Sequence, residues 1–421
     1  MIKFTRKRYL EKIKKWFDLY NLVYLTWTRQ VGKTTIWKMF LEWKKHIYLS
    51  LDIYNFQNVS TTKDFLDYFK IYEWINLLDY DYLFFDEVKS FDNIWNVLKW
   101  FVDIYDKKIL CSSSWNINIV KSIAKNLTGR YEIIQVYPLD FAEYLEDLDK
   151  QLFNQYLQLT SALNEIFYQK IEKIFLQYLQ FGALPRVLSL WYWKEQEKIR
   201  ILENIIESIK NYDLSVLLNE KSKWKLEDLL YLFAEKNWSV LKIDKLVQEI
   251  WIKRNQLQQI IDAINEVGLI LFLKPFFTQK KYELSKANKV YFIDTGNYQT
   301  FLKDYNLIWE KKWKVIENSV FIQLLSNISN YDIYFWRNKN QYEIDFVLKN
   351  KLTGRLIPIE SKSDDKDNIP KIFTSFAEKY WEKIEYFIKI TKTLETQRIE
   401  NLWGKKILIK FIPLFKLPIK V

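Results

Sequence analysis

The chain has 421 residues, of which 49% are hydrophobic and 28% charged, so it can bury several cores and is not intrinsically disordered. One cysteine excludes a disulfide scaffold and a thiolate zinc site, and one histidine excludes a histidine-rich metal site. The net charge of +12 fits a nucleic-acid partner, but an AT-rich gene also produces many lysines. Seven glycines stand beside 18 tryptophans, where average usage would give about 30 glycines.

The chain shows no membrane or secretory segment. Residues 1–16 are rich in Lys and Arg and lack the apolar stretch of a signal peptide. The longest apolar run, residues 267–273, is too short to span a bilayer. These features predict a cytoplasmic protein without a membrane partner.

The first 150 residues alternate short apolar strands with helical patterns, which is typical of βαβ units and a mainly parallel sheet. A helix is predicted over residues 33–45, directly after the first strand. The predicted strands are residues 21–25, 47–51, 82–85, 109–112 and 132–136.

Beyond residue 140 the apolar periodicity becomes helical, with long stretches at 166–181 and 199–218. Three short helices and two strands follow, then a mixed segment in which residues 361–368 are an expected loop. We predict four modules: an α/β domain (1–150), a helical segment (151–223), a module of three helices and two strands (224–295) and a last α/β domain (296–421).

A phosphate-binding loop is predicted where the first strand meets its helix. Apart from its first position, the segment matches the pattern GxxxxGK[ST], in which backbone N–H groups and a helix N-terminus surround phosphates. Lys33 is predicted to reach the β- and γ-phosphates of ATP, and the Thr34 hydroxyl to bind Mg²⁺. The binding segment comprises Trp27, Thr28, Arg29, Gln30, Val31, Gly32, Lys33, Thr34 and Thr35.

Two carboxylates end the third predicted strand. Asp86 is expected to hold Mg²⁺ through water, and Glu87 to act as the general base that polarises the attacking water. Ser113, after the fourth strand, is a candidate γ-phosphate sensor. Arg130 would neutralise transition-state charge, in its own chain or in a neighbouring subunit. An ordinary surface arginine fits the sequence equally well.

Taken in order, these pieces resemble a family of bacterial and archaeal AAA-like ATPases with a C-terminal restriction-endonuclease-like domain, over nearly the whole chain. The family's "GR … PLSFxEF" signature is similar to Gly129-Arg130 followed by residues 137–144, and its "YxxxGGLP" to residues 178–185. The resemblance implies an α/β P-loop NTPase domain with a parallel sheet, then a helical segment, a winged helix-turn-helix and a C-terminal α/β endonuclease-like domain.

Residues 224–295 resemble a winged helix-turn-helix, with helices at 226–235, 242–249 and 255–265 followed by wing strands at 269–273 and 290–293. A recognition helix would present Lys253, Arg254, Asn255 and Gln256 to the major groove of DNA. A helical module that packs against other domains or subunits fits the pattern equally well.

The C-terminal segment contains residues that resemble the active-site motif of a restriction-endonuclease-like domain. Asp345 on one strand and Glu360 on the next would bind Mg²⁺, Lys362 would orient water, and Glu317 on the preceding helix would be a fourth member. The same fold often binds nucleic acid without cutting it, so nuclease activity stays open.

Several tryptophans stand where a turn needs a residue without Cβ. Trp27 takes the first P-loop position, and Trp251 the turn between two predicted helices, which often contains glycine. We predict that the gene uses UGA for glycine and that this sequence reads it as tryptophan. A true tryptophan in a degenerate, inactive P-loop is the competing interpretation. The affected positions would be Trp27, Trp238, Trp251 and Trp313, with Trp115 a further candidate, whereas Trp95 and Trp336 fit aromatic positions of the family.

The sequence thus predicts an ATPase that binds ATP and Mg²⁺, hydrolyses ATP and couples the cycle to DNA, with a homo-oligomer as a candidate assembly. Two alternatives stay open: an ATP-switched or inactive-ATPase regulatory protein, and an ATP-regulated, metal-dependent nuclease.

Overall fold

A computed structural model describes residues 2–26, 29–56, 59–91, 93–113, 127–157, 165–190, 194–237, 239–277, 287–306, 309–338, 340, 342–361 and 366–416. The chain forms two compact units. The N-terminal unit is Phe4–Tyr137 with Glu266–Gly268. The C-terminal unit is Met1–Lys3, Pro138–Asn265 and Leu269–Val421.

The N-terminal unit is built on a five-stranded sheet in the order β2-β3-β4-β1-β5, in which every pair is parallel. The strands are β1 (Leu22–Thr26), β2 (His46–Ser50), β3 (Tyr82–Asp86), β4 (Lys108–Ser112) and β5 (Tyr131–Gln135). The helices are α1 (Lys7–Phe17), α2 (Lys33–Leu41), α3 (Thr62–Tyr72) and α4 (Ile94–Tyr105).

This sheet forms because its strands are short apolar runs buried by helices. All five residues of β1 are buried, as expected for a central parallel strand. Each predicted strand lies within one residue of the observed one. Helix α2 is shorter than predicted: it ends at Leu41, where the N–H of Lys44 bonds to the Leu41 carbonyl and closes a turn.

The C-terminal unit begins with helices that the apolar periodicity predicted. Asp140 and Glu143 form a reciprocal capping box at the start of the first of them. The predicted helix over 199–218 is not one α-helix, because Ile209–Leu214 forms a π-helical segment with both of its end residues buried. The helices are α5 (Phe141–Leu148), α6 (Lys150–Leu157), α7 (Glu165–Phe181) and α8 (Glu195–Ser208).

Gly182 and Asp294 explain the motif that follows α7. The buried Asp294 carboxylate accepts N–H bonds from Ala183 and Asn297. Gly182 has a φ of +78°, and a Cβ there would lie 2.1 Å from the Asp294 Oδ1. Burial raises the pKa of Asp294 to about 6, although its backbone hydrogen bonds oppose the rise. The turn therefore requires glycine for both its backbone angle and its space.

The three-helix module follows: α9 (Glu220–Glu235), α10 (Ile243–Ile250), α11 (Arg254–Glu266) and an antiparallel hairpin of β6 (Ile270–Leu273) and β7 (Lys289–Phe292). These elements have the number and order predicted from the sequence. The first helix starts six residues earlier than predicted because the Asn219 side chain caps it at the Ser222 N–H.

The last part of the C-terminal unit is a mixed six-stranded sheet in the order β12-β13-β11-β10-β9-β8. Its core includes Trp336, Ile344 and Phe376. The elements are α12 (Thr295–Leu302), α13 (Trp309–Asn327), β8 (Tyr331–Arg337), β9 (Glu343–Asn350), β10 (Leu356–Ser361), α14 (Lys371–Tyr380), β11 (Phe387–Thr391), β12 (Thr396–Leu402) and β13 (Lys405–Pro413).

Membrane-spanning helices were tested separately. Within the described ranges, no helix combines the length and the apolarity needed to cross a bilayer.

Three tryptophans have left-handed backbone, which favours glycine. Their φ angles are +59° at Trp74, +53° at Trp251 and +51° at Trp403. Trp403 and Gly404 form the two-residue loop between β12 and β13 with both φ angles positive, a turn that selects Gly and Asn. By contrast, Trp313 lies inside α13, where the backbone makes no such demand.

Candidate functional site

The predicted phosphate loop lies at the carboxyl end of β1. Helix α2 begins at Lys33, and its N-cap Gly32 has a φ of +94°. No side chain caps the first turn and the turn contains no acidic residue, so its N–H groups and partial positive charge suit an anion. Trp27 and Thr28, the first residues of the predicted loop, lie outside the described residues.

Asp86 lies at the carboxyl end of β3, on the same edge of the sheet as the end of β1. Its Oδ1 accepts hydrogen bonds from the Glu87 N–H and the Ser112 hydroxyl, and its Oδ2 accepts one from Tyr48 at 3.2 Å. No cationic side chain of the described residues forms an ion pair with Asp86. Two hydroxyl groups thus orient this carboxylate, as would suit a group that accepts hydrogen bonds from metal-bound water.

Glu87 follows with a left-handed backbone, φ +49°. Burial raises the pKa of its carboxyl above the ordinary value; the Lys89 ammonium opposes the rise and the Asp86 carboxylate adds to it. Lys89 lies 3.7 Å from Oε2, which accepts no hydrogen bond from the described residues. A strained, half-buried carboxylate with a raised pKa has the properties of a general base.

Strand β4 lies between β1 and β3, so its carboxyl end separates the loop from the carboxylates. The polar contact there is made by Ser112, whose hydroxyl bonds to Asp86. Ser113, which the sequence favoured, is fully buried and bonds to the hydroxyl of Tyr24. Neighbouring side chains alternate along a strand, so only one of the two serines can face Asp86. The run of serines alone does not reveal which.

Arg130 lies at the other edge of the sheet. It directly precedes β5, whose first residue Tyr131 pairs with Leu22 at the start of β1, whereas the phosphate loop follows Thr26 at the end. Its Nε bonds to Asp103 at 2.6 Å. Arg130 therefore lies toward the opposite end of β1 from the loop, and a role within its own chain stays a prediction. A role toward a neighbouring subunit stays a prediction.

The C-terminal carboxylates surround a lysine that the sequence analysis missed. Lys289, the first residue of β7, has a side chain only 1% exposed. Its ammonium lies 3.0 Å from Glu317 on α13 and 4.0 Å from Asp345 on β9, and it also pairs with Glu343. Burial alone would lower the pKa of Lys289, but the three carboxylates raise it above the ordinary value. A lysine at the start of an otherwise apolar strand was the only signal in the sequence.

Glu360 is buried on β10, one position beyond the last registered pair of β9 and β10, and thus beside Asp345. Lys362 lies outside the described residues. Within those residues no group of three or more Asp, Glu, His or Cys side chains has an arrangement that would hold a metal ion. Of the predicted partners, Glu317 and Asp345 lie within 4.0 Å of the Lys289 ammonium, and Glu360 lies beside Asp345 in the sheet.

The predicted DNA-reading positions lie at the start of α11. Lys253, Arg254 and Asn255 are exposed and Gln256 is half-buried. Arg254 bonds to Asp244 of α10 at 2.6 Å, although both side chains stay largely exposed. This surface therefore presents polar side chains but little unpaired positive charge.

Comparison with known families agrees with the site at the N-terminal sheet. Residues 20–145 match the family model described as an AAA domain. Residues 172–305 and 314–415 match two domains of unknown function (DUF8612 and DUF4143). Residues 20–145 are thus similar to an AAA domain, and their parallel five-stranded sheet fits the fold of a P-loop NTPase.

The chain is also similar to uncharacterized proteins. One, from Methanocaldococcus jannaschii, is 25% identical over 63% of this chain and 58% of its own length. Another, from Haemophilus influenzae, is 21% identical over 90% of this chain and 95% of its own length. The chain thus spans little more than half of the first relative.

Among solved structures, the chain is similar to a Walker-type ATPase of Pyrococcus abyssi, with 15% identity, 71% of this chain and 96% of the other covered, and a TM-score of 0.46. It is also similar to a signal-transduction ATPase with a tetratricopeptide-repeat sensor from Pyrococcus horikoshii. The identity is 12%, the match covers 78% of this chain and 46% of the other, and the TM-score is 0.28.

Proposed function

We propose that the N-terminal unit binds ATP with Mg²⁺ and hydrolyses it, and that the cycle drives a conformational change used on DNA. One observation carries the ATPase proposal: the end of β1 with the start of α2, and the Asp86–Glu87 pair, lie at the same edge of one parallel sheet. Ligands of open α/β sheets bind beyond the carboxyl ends of the strands.

Each residue has a role that follows from its surroundings. Lys33 and the N–H groups of the first turn of α2 would hold the phosphates. Thr34, which is exposed, and Asp86 would hold Mg²⁺, and this ion supplies charge neutralisation at the phosphates. Ser112 and Tyr48 keep Asp86 oriented through its two oxygens. Glu87 would accept a proton from the attacking water.

The test is Glu87→Gln made together with Trp27→Gly, the background used for all ATP-binding and hydrolysis measurements. Glu87→Gln keeps the shape of the side chain and removes its basicity. ATP hydrolysis should fall by about 10²–10⁴-fold, because a positioned general base contributes that much. ATP binding, measured by fluorescence of a labelled nucleotide, should persist. Glu42→Gln is the matched control, since Glu42 is an exposed glutamate at the end of α2. Full hydrolysis by Glu87→Gln would refute the role of Glu87.

The proposal also concerns which residue the cell places at the tryptophan positions. We infer that UGA codons for glycine lie behind Trp27 and Trp251, as predicted from the sequence, and also behind Trp74 and Trp403, whose backbone is left-handed like that of Trp251. Trp115 and Trp238 lie outside the described residues and stay predictions. Trp74 and Trp251 are 90% and 91% exposed, which is unusual for so large an apolar side chain. By contrast, Trp95 and Trp336 are buried in the two cores.

The coding DNA tests this inference. TGA is expected at Trp27, Trp74, Trp251 and Trp403, and TGG at Trp95 and Trp336. TGG at the first four would end the proposal. In the protein as written, Trp27→Gly should restore ATP binding, because a Cβ blocks the approach of the loop to the phosphates. Tight ATP binding by the Trp27 form would contradict that steric reason.

The nucleic-acid part of the proposal depends on the three-helix module. Its three helices and antiparallel hairpin have the order of a winged helix, and the start of α11 is exposed. Binding to duplex DNA should weaken steeply with salt, as counterion release requires. Lys253→Gln should lower that salt slope by about one. Absent or salt-independent binding would favour the alternative of an ATP-switched protein with a protein partner.

A further inference from the structure

The carboxylates of the C-terminal unit surround a cation that the chain itself supplies. Lys289 extends from the first position of β7 into a space bounded by Glu317 of α13 and by Glu343 and Asp345 of β9. Its side chain and that of Glu317 are 1% and 5% exposed. The group is therefore a buried network and not a solvated surface patch.

A divalent metal does not fit this space while Lys289 fills it. Mg²⁺ binds its oxygen ligands at about 2.0–2.1 Å, and a site for it is built from carboxylates and water. Here an ammonium already lies 3.0 Å from Glu317 and contacts Glu343, so a metal shared by these oxygens would overlap it. A second cation, Arg337, lies 3.2 Å from the other oxygen of Glu343.

We propose that Lys289 takes the place of a divalent metal among Glu317, Glu343 and Asp345, so that these carboxylates hold no catalytic metal and support no metal-dependent cleavage of nucleic acid. The inference is independent of the proposed ATPase function, which concerns the other unit.

The same contacts indicate what the carboxylates do instead. Tyr291 of β7 donates a hydrogen bond to Glu317 at 2.6 Å. The Asn318 side chain pairs with both the N–H and the carbonyl of Phe292. Three of the four residues of β7, namely Lys289, Tyr291 and Phe292, are thus bonded to α13. The ion-pair network therefore joins the hairpin of the three-helix module to the last sheet.

The experiment uses the full chain without nucleotide and Mn²⁺ as the probe. Mn²⁺ at millimolar concentration should leave the melting temperature of the wild-type protein unchanged. Lys289→Met should melt lower, because three carboxylates lose their buried cation. Mn²⁺ should then recover several degrees, because a ligand that binds only the folded state stabilises it.

Two variants control for general effects of the substitution. Lys198→Met removes another buried lysine, one whose ammonium lies over the ring of Phe181, and its melting should not respond to Mn²⁺. Lys289→Met/Glu317→Gln removes one buried charge of each sign, so it should fold even if Lys289→Met does not. This double variant should regain less from Mn²⁺ than Lys289→Met.

Mn²⁺ binding followed by electron paramagnetic resonance gives a second readout on proteins that fold. The wild type and Asp345→Asn should bind the same number of ions. Loss of one bound ion in Asp345→Asn would overturn the proposal, as would Mn²⁺-dependent DNA cleavage by the wild type that this substitution abolishes. A folded Lys289→Met protein that ignores Mn²⁺ would also overturn it.

Discussion

Two groups of buried or half-buried carboxylates differ in what balances their charge. At the end of β3, hydroxyls and one backbone N–H bond to Asp86, and a half-exposed lysine lies 3.7 Å from Glu87. In the C-terminal unit, a fully buried lysine lies among Glu317, Glu343 and Asp345. In the first region, no cationic side chain of the described residues pairs with Asp86. In the second region, the Lys289 ammonium neutralises the carboxylates around it.

This difference shows that acidic residues at strand ends do not by themselves make a metal site. The sequence predicts metal binding by carboxylates in both regions. What separates them is whether a side chain from a distant part of the chain occupies the space between the oxygens. Substitutions at equivalent places in the two regions test this comparison.

The largest expected effect is on stability. Lys289→Met should lower the free energy of unfolding by about 3–5 kcal/mol, because removing one partner leaves buried charges uncompensated. Lys89→Met, which removes the lysine near Glu87, should cost about 0–1 kcal/mol, since that pair is partly exposed. Urea unfolding of both variants measures the difference. Equal losses would break the comparison.

A second effect separates the two regions by activity. Asp86→Asn should lower ATP hydrolysis by about 10–100-fold, the usual result of losing a group that orients metal-bound water. Asp345→Asn should leave ATP hydrolysis unchanged and lower the melting temperature, because its carboxylate helps to balance Lys289. Steady-state hydrolysis and thermal unfolding of both proteins provide the check. A large loss of hydrolysis in Asp345→Asn would show that the comparison is wrong.

The smallest effect is on pH dependence. Glu87 must be ionised to accept a proton, and burial raises its pKa. As the pH is lowered, hydrolysis should therefore be lost before the pH reaches the ordinary glutamate pKa of about 4.3. Lys89 opposes that rise. Lys89→Met should therefore move the acidic limb of kcat/KM to higher pH and leave the plateau unchanged.

Lys70→Met, an exposed lysine of α3, is the control for that shift and should not move the limb. An acidic limb that is identical in Lys89→Met and the wild type would mean that Glu87 is not the group that titrates.

Much of this protein follows from its sequence alone. The five strands of the first sheet lie within one residue of prediction because each is a short apolar run between polar residues. The start of α2 at Lys33 follows from the glycine before it, and the capping box at Asp140 from Asp and Glu three residues apart. These features depend on neighbours within a few residues, and local sequence determines them.

Other features were decided only when distant segments came together. Ser112 rather than Ser113 bonds to Asp86 because of the phase in which β4 enters the sheet. Arg130 lies at the far edge because β5 runs parallel to β1. Lys289 reaches carboxylates 28, 54 and 56 positions away in the chain, as the residue numbers show. Whether a carboxylate serves a metal or an internal ammonium depends on such long-range packing, which no local pattern of residues encodes.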